Sequence, residues 1–421
     1  MSVAGEQITL KLEKIPWLSK GPLARLLSVL DADGEETRVV GGAVRNAVLG
    51  LKVGEIDLAT TALPEKVVQR VAAEGFNAVP TGIEHGTVTV VVEGKPFEVT
   101  TLREDVETFG RHAKVRFGRD WKKDAERRDF TINALFLKRD SEVVDYVGGL
   151  HDLGAKRVRF IGDPETRIRE DYLRVLRFFR FYATYGEELI DKAGLGACIR
   201  AREELATLAR ERVRAELLKL LMAKHAVPAL AVMGEAGLLG AVLGGVPLLA
   251  SYSNMIKAEA ATSLGPEPVR RLGALGVFIV EDADRLRERL RLANAEHQRL
   301  QSMGDRWWRI SPEAGEQDAR ALLYRIGIEN FRDRVLVAFA RSQAKDDDKA
   351  WHNLIALPGR WTPPKFPLAA KDLIERGIDK GPLLGAALAH AEEEWIKAGF
   401  PMEPKRFEAI ADEVAKGSVK K

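Results

Sequence analysis

Near residue 160 the hydrophobic pattern of the chain changes period, and that change limits what it can fold into. Between about residues 38 and 159 lie short β-branched runs bounded by glycine or proline: RVVGG, EIDLAT, GTVTVVVEG, KPFEVTTL and SEVVDYVGG. Such runs read as strands, and GTVTVVVEGKPFEVTTL reads as a hairpin turning at Glu93-Gly94-Lys95. Between them AVRNAVLG and LPEKVVQRVAAEG have helical spacing, the second with Pro64 in its first turn and Gly75 at its end. From Asp163 onward the apolar spacing is almost wholly helical. It opens with DPETRIREDYLRVLRFFRFYATYG, in which Asp163 offers an N-cap and Pro164 the first helical position. The expected fold class is α+β, a mixed head followed by a long all-helical part. VPLLASYSN and RWTPPKFPLA read as linkers or turns, and His151-Asp152 as part of a turn.

Composition narrows the functions available. A formal charge of +3 over 421 residues is not that of a polycation, so any nucleic-acid surface must come from local clustering. Residues 156–180 are such a cluster, with eight Lys/Arg against four Asp/Glu. Phe178, Phe179, Phe181 and Tyr182 are interleaved there; they either stack on single-stranded RNA or pack a core beneath a basic face. Cys198 is the only cysteine, which excludes a disulfide framework or a thiolate zinc site within one chain. The first residues lack a long apolar segment, and no run approaches a membrane span. A cytoplasmic location is expected.

The most informative stretch is residues 39–60. A strand runs into Gly41-Gly42 and then a helix carrying Arg45. Glycines at such a junction let the backbone approach a ligand closely, the helix start offers N–H groups to phosphate, and Arg45 adds a charged fork; the alternative is a plain tight turn. In Glu55-Ile56-Asp57 the two acids are expected on one face of the next strand, about 7 Å apart along it. Their carboxylates can converge on metal ions about 3.5–4 Å apart, with Glu98 of a neighbouring strand as a third acid. Two Mg²⁺ ions held there would activate a 3′-hydroxyl and neutralise a leaving pyrophosphate. The alternative is a solvated strand face.

The motifs Gly41-Gly42-Ala43-Val44-Arg45, Glu55-Ile56-Asp57-Leu58-Ala59-Thr60, Arg127-Arg128-Asp129-Phe130-Thr131-Ile132-Asn133-Ala134 and Glu170-Asp171-Tyr172-Leu173-Arg174 occur in this order. Together they resemble the signature of class II CCA-adding enzymes and bacterial poly(A) polymerases. The resemblance implies a polymerase-β-like nucleotidyltransferase palm over residues 1–160, a helical neck with a nucleotide-recognition helix over 161–235, and an RNA-binding helical body and tail over 236–421. It also implies CTP and ATP as substrates, tRNA as partner, no membrane, and two metal ions on the palm carboxylates. By the same resemblance Arg128, Asp129 and Asn133 contact ribose and phosphates. Asp171 and Arg174, three apart on one helix, read the base in place of a template, with Arg177 and Arg180 nearby; the alternative is an i,i+3 surface ion pair. Residues 103–128 resemble a flexible loop that helps relatives switch from C to A addition, and residues 211–217 match a further neck motif. The family usually has aspartate where this chain has Glu55, and often aspartate at Asn46 and Phe109. A poly(A) or A-only adding enzyme and a silent RNA-binding relative are the rival readings.

Overall fold

Ten strands lie in the first of two units, Met1–Gly244 and Gly245–Lys421, of a computed structural model that describes residues 8–13, 15–109, 112–187 and 190–419. They are β1 (Ile8–Lys11), β2 (Thr37–Val40), β3 (Asp57–Thr60), β4 (Asn77–Gly82), β5 (Thr87–Val92), β6 (Lys95–Thr101), β7 (Arg103–Phe109), β8 (His112–Phe117), β9 (Leu135–Leu137) and β10 (Glu142–Asp145). Eight form one sheet in the order β1-β10-β9-β2-β3-β6-β5-β4, in which only β3 and β6 run parallel. Strand β6 alternates, burying Phe97, Val99 and Thr101 while Glu98 faces out. The β5–β6 hairpin closes as expected: Val92 pairs with Lys95, and Glu93 and Gly94 take φ of 51° and 75°. Two consecutive positive φ values match the right-handed twist of the strands.

Helices Pro22–Leu30 and Pro64–Ala73 each begin with a proline whose missing N–H costs nothing at that position. The first buries Leu23, Leu26, Leu27 and Leu30, one helical face, against the sheet. Residues 103–128, expected as a loop, instead form the antiparallel β7–β8 ribbon and the helix Trp121–Glu126; Gly110 and Arg111 lie outside the described residues. His151 and Asp152 sit in the short helix Gly149–Gly154, where buried Asp152 accepts from Thr131 and Arg159.

The continuous helix expected from Asp163 is two helices, Pro164–Glu170 and Leu173–Tyr185. Asp163 caps the first as expected, accepting from the Thr166 N–H at 2.8 Å. The break falls at Asp171, whose backbone is extended (φ −156°, ψ 106°) and whose carboxylate accepts from the Leu173 N–H. An aspartate that bonds its own following backbone competes with helix continuation. The aromatics of this segment are core: Phe178 and Phe179 are fully buried, and Phe130, Phe160, Phe178 and Phe181 meet at centroid distances of 4.9 to 6.3 Å.

The second unit is helical. VPLLASYSN, expected as a linker, contributes to helix Leu249–Ala261, whereas residues 361–369 are a linker as expected. The unit is held partly by a buried ion network in which Arg270 joins Glu259 (3.0 Å) to Asp333 (2.8 Å), Arg271 adds to Glu259 (2.9 Å) and Arg299 to Asp333 (2.6 Å). Among the described residues no helix is long and apolar enough to cross a membrane.

One glycine ties the fold to the cleft described next. A Cβ on Gly149 would lie 2.2 Å from the Thr131 carbonyl oxygen, in the turn Thr131–Asn133. Gly149→Ala must displace that turn and should cost about 1–3 kcal/mol. Urea unfolding of the two proteins measures it, and an unchanged midpoint would contradict the packing.

Candidate active site

The end of β2 reaches Gly41, whose φ of 73° and ψ of −128° suit glycine alone, and the chain turns there into helix Gly42–Val48. That turn buries Arg45, 6% exposed, in a network of neutral partners. Its Nη1 donates to Asn133 Oδ1, and its Nη2 donates to the Tyr185 hydroxyl at 2.5 Å and to Asn46 Oδ1 at 3.1 Å. The guanidinium also lies 4.0 Å from the Tyr185 ring centroid. No carboxylate forms an ion pair with Arg45 among the described residues, and burial lowers its pKa. Asn46 helps keep this surrounding neutral.

The acidic residues are placed differently from the expectation in one respect. Strand β3 begins at Asp57, and Glu55 lies in the bend before it, so the two are not alternate residues of one strand. The residue beside Asp57 is Glu98, its register partner across the parallel β3–β6 pair and therefore on the same face of the sheet. Among the described residues none of the three has a hydrogen-bond or ion-pair partner. The Asp57 carboxyl titrates above the ordinary range, first because it is desolvated and next because Glu98 is close. Glu55 adds to the effect and Arg128 opposes it. By surface area Asp57 is exposed, but it sits in a concavity where protein displaces much of its hydration. No group of three His, Cys, Asp or Glu side chains among the described residues is drawn together as a ready-made metal shell. The donor chemistry, hard oxygens with uncompensated negative charge, nonetheless suits a divalent cation.

Facing the acids is a wall of arginines. Arg128 and Arg127 share Asp124, at 2.9 and 2.6 Å. Burial alone would raise the Asp124 pKa, yet the two cations outweigh it and hold it low. Asp129 is likewise held low against burial by Arg177, which donates to it at 2.7 Å. Asp171 and Arg174 do not pair with each other. Asp171 Oδ2 accepts from Arg212 at 2.6 Å, while Arg174 Nη1 bonds the Arg167 carbonyl at 2.5 Å and Glu170. Arg180 donates to Glu216 at 2.5 Å. Arg212 and Glu216 are four apart on helix Arg210–Leu221, so one helix face fixes both Asp171 and the Arg177–Arg180 pair.

Of the site residues expected from the sequence, all except Glu98 line a single cleft of about 620 Å³. Arg127, Leu173, Phe181 and Arg212 complete it. Sequence reasoning missed Tyr185 altogether and noted Arg212 and Glu216 only within a neck motif; their i,i+4 spacing was the available signal.

Unpartnered carboxylates on and beside a parallel strand pair, with arginines around the same space of nucleotide size, define a nucleotidyltransferase site of the polymerase type. Residues 37–159 match the family model described as Poly A polymerase head domain, and residues 190–252 match "Probable RNA and SrmB- binding site of polymerase A". The chain is 34% identical over 389 residues to CCA tRNA nucleotidyltransferase 1, mitochondrial, of Homo sapiens, covering 90% of this chain and 87% of that one. It is 30% identical over 413 residues to the CCA-adding enzyme of Limosilactobacillus fermentum, covering 97% of this chain and 100% of that one. The crystal structure of the Bacillus stearothermophilus CCA-adding enzyme in complex with CTP aligns with a TM-score of 0.77 at 28% identity, over 95% of this chain and 99% of that one. The chain therefore belongs to the family of CCA-adding enzymes, the CCA tRNA nucleotidyltransferases.

Two acids, Asp57 in the cleft and Asp124 behind its arginines, should respond oppositely to neutralisation. Because the folded pKa of Asp57 is raised, its contribution to stability is present below the unfolded pKa and lost as pH rises through the folded one. At pH 7 the ionised form is a burden, so Asp57→Asn should raise the melting temperature in EDTA, with the gain shrinking toward acid. The folded pKa of Asp124 is depressed, so its stabilisation is present above the unfolded pKa and lost as pH falls. Asp124→Asn strands two arginines and should cost about 3–5 kcal/mol at pH 7. Melting curves of both variants against pH decide; shifts of the same sign would contradict the assignment.

Proposed function

We propose that this protein completes or repairs the 3′ end of tRNA, adding CMP and AMP from CTP and ATP without a nucleic-acid template. The observation that carries the reading is the cleft itself, where unpartnered Asp57 and Glu55 face Asp171 and Arg174 across the arginine wall. In this reading the head spans residues 1–160, the neck 161–235 and the RNA-binding body and tail 236–421. The single, buried Cys198 fits a reducing compartment such as the cytoplasm.

The RNA 3′-hydroxyl attacks the α-phosphorus of the bound nucleotide in line, the bond to the β-phosphate oxygen breaks, and pyrophosphate leaves. No side chain serves as a covalent nucleophile. Glu55 and Asp57, with Glu98 beside them, are the residues that would hold divalent ions, Mg²⁺ in this reading, which when bound lower the pKa of the attacking hydroxyl and neutralise the leaving group. Gly41 and Gly42 admit the triphosphate to the turn, and Arg45 supplies charge to it. Because Asn133, Asn46 and Tyr185 are neutral, that charge is held in place without being cancelled. Arg128 faces the same phosphates. Asp129 and Asn133 act by fixing Arg177 and Arg45.

Base choice falls to Asp171 and Arg174. Each Asp171 oxygen accepts one bond from the protein and keeps a second lone pair for a base amino group. Arg174 spends Nη1 on the protein, leaving Nε and Nη2 for base acceptors. The pair reads a base edge as a partner strand would.

Asp57→Ala should reduce CMP and AMP incorporation into tRNA lacking its CCA end to background; retained incorporation would remove the metal assignment. Supplying each nucleoside triphosphate alone separates the rival: long A-only tails on generic RNA would replace this reading with a poly(A) polymerase. Arg212→Ala, which releases Asp171, should weaken discrimination against UTP on the order of tenfold, and unchanged discrimination would exclude Arg212 from base reading.

A further inference from the structure

The helical second unit displays an aromatic and basic surface that the cleft does not use. Residues 306–309 read Arg-Trp-Trp-Arg, with Trp307–Arg309 in a single 3₁₀ turn. Trp308 is 55% exposed and neighbouring Phe278 48%. Large aromatics left in water on a rigid turn are unusual in a surface without a partner. These rings are held in place. Trp307 donates its indole N–H to the Phe278 carbonyl at 2.8 Å, and Phe278–Trp307 and Trp307–Trp308 meet edge to face at 5.2 and 6.0 Å. More than half of the Trp308 surface remains open to solvent.

Beside the turn is a cavity of about 530 Å³ whose lining includes Pro247, Leu248, Phe278, Trp307 and Arg341. The Arg341 guanidinium lies 4.7 Å from the Trp307 ring centroid and donates to Ser251 Oγ and the Val277 carbonyl. It has no carboxylate ion pair among the described residues, and burial lowers its pKa to about 10, so it remains a cation at neutral pH. Arg309 is exposed and likewise has no ion-pair partner among the described residues. Two acids close to the turn in sequence are already engaged. Asp305 is held by Arg306 (3.0 Å) and Arg334 (3.1 Å), and Asp282 by Arg285 and the backbone N–H groups of Phe278 and Ile279.

Resting on the tRNA reading above, we propose that this turn is an RNA-holding surface on which an unstacked tRNA base lies against Trp308 with its phosphate at Arg309. A flat exposed ring flanked by arginines provides stacking and charge together, the combination that holds unpaired nucleotides. Arg309, exposed and without an ion-pair partner among the described residues, beside two acids that are already engaged, favours a polyanion over an apolar protein face. Binding there affects capture of tRNA, not the transfer step.

The test is steady-state CMP incorporation with tRNA lacking its CCA end, alongside direct binding of that tRNA by fluorescence anisotropy. Trp308→Ala should raise the tRNA KM and Kd about tenfold, with kcat and the CTP KM unchanged and Trp308→Phe restoring most of the loss. Arg309→Ala should weaken binding and reduce the salt slope by about one. Melting temperatures verify that both exposed-site variants fold, and Arg309→Glu serves should the tryptophan variant fail to. Unchanged tRNA KM and Kd in all variants would overturn the proposal, as would a change confined to sedimentation behaviour, which would make the patch a contact between copies of this chain. If wild-type protein binds tRNA but incorporates nothing, the activity reading fails while the binding arm still tests this surface.

Discussion

Asp57 and Glu98 are forced side by side by the parallel pairing of β3 with β6, with Glu55 close enough to add to the repulsion. Among the described residues no cation forms an ion pair with them, and Arg128 opposes the build-up of charge only from a distance. Parallel pairing fixes register through evenly spaced backbone bonds, so the two residues cannot leave each other's side without breaking the ladder. Like charges held in a concavity cost stability, and the sheet bears that cost through its buried β-branched core. A fold that keeps such an arrangement has placed a demand for positive charge at one end of its central strands.

The rest of the cleft is organised around that demand. Opposite the acids, arginines are gathered, and most are committed to neutral groups or to carboxylates of the surrounding elements. Arg127 and Arg128 divide one aspartate, leaving a surplus of one positive charge. Arg45 has only neutral partners. Helix Arg210–Leu221 sets the other side, where Arg212 anchors Asp171 and Glu216 anchors Arg177 and Arg180. Preorganised side chains lose little entropy when a ligand arrives, which makes rigid positioning of Asp171 and Arg174 a means of selecting among bases.

What could be read from the chain beforehand was local. The Gly41 turn, the Glu93-Gly94 hairpin and the Asp163 cap depend on neighbours within a few residues, and each formed as its residues suggest. Asp57 and Glu98 were recognisable as acids in strands because alternation is a two-residue signal. Three features were hidden. The break at Asp171 depends on a side chain outcompeting a helix that the hydrophobic period would have continued. Tyr185, which joins the recognition helix to Arg45, is separated from it by 140 residues and carries no motif. In the second unit, Glu259 and Asp333 are buried and paired, which the sequence gives no sign of because amphipathic spacing cannot distinguish a polar face in water from one pressed against arginines.

The measurement that bears most directly on this account is a crystal of the protein soaked with CTP and Mn²⁺, read by anomalous scattering. The account requires an anomalous peak at Asp57, triphosphate oxygens between it and Arg45, and the cytosine edge against Asp171 and Arg174. A nucleotide bound elsewhere, with Asp57 facing bulk water and no metal signal beside it, would contradict it.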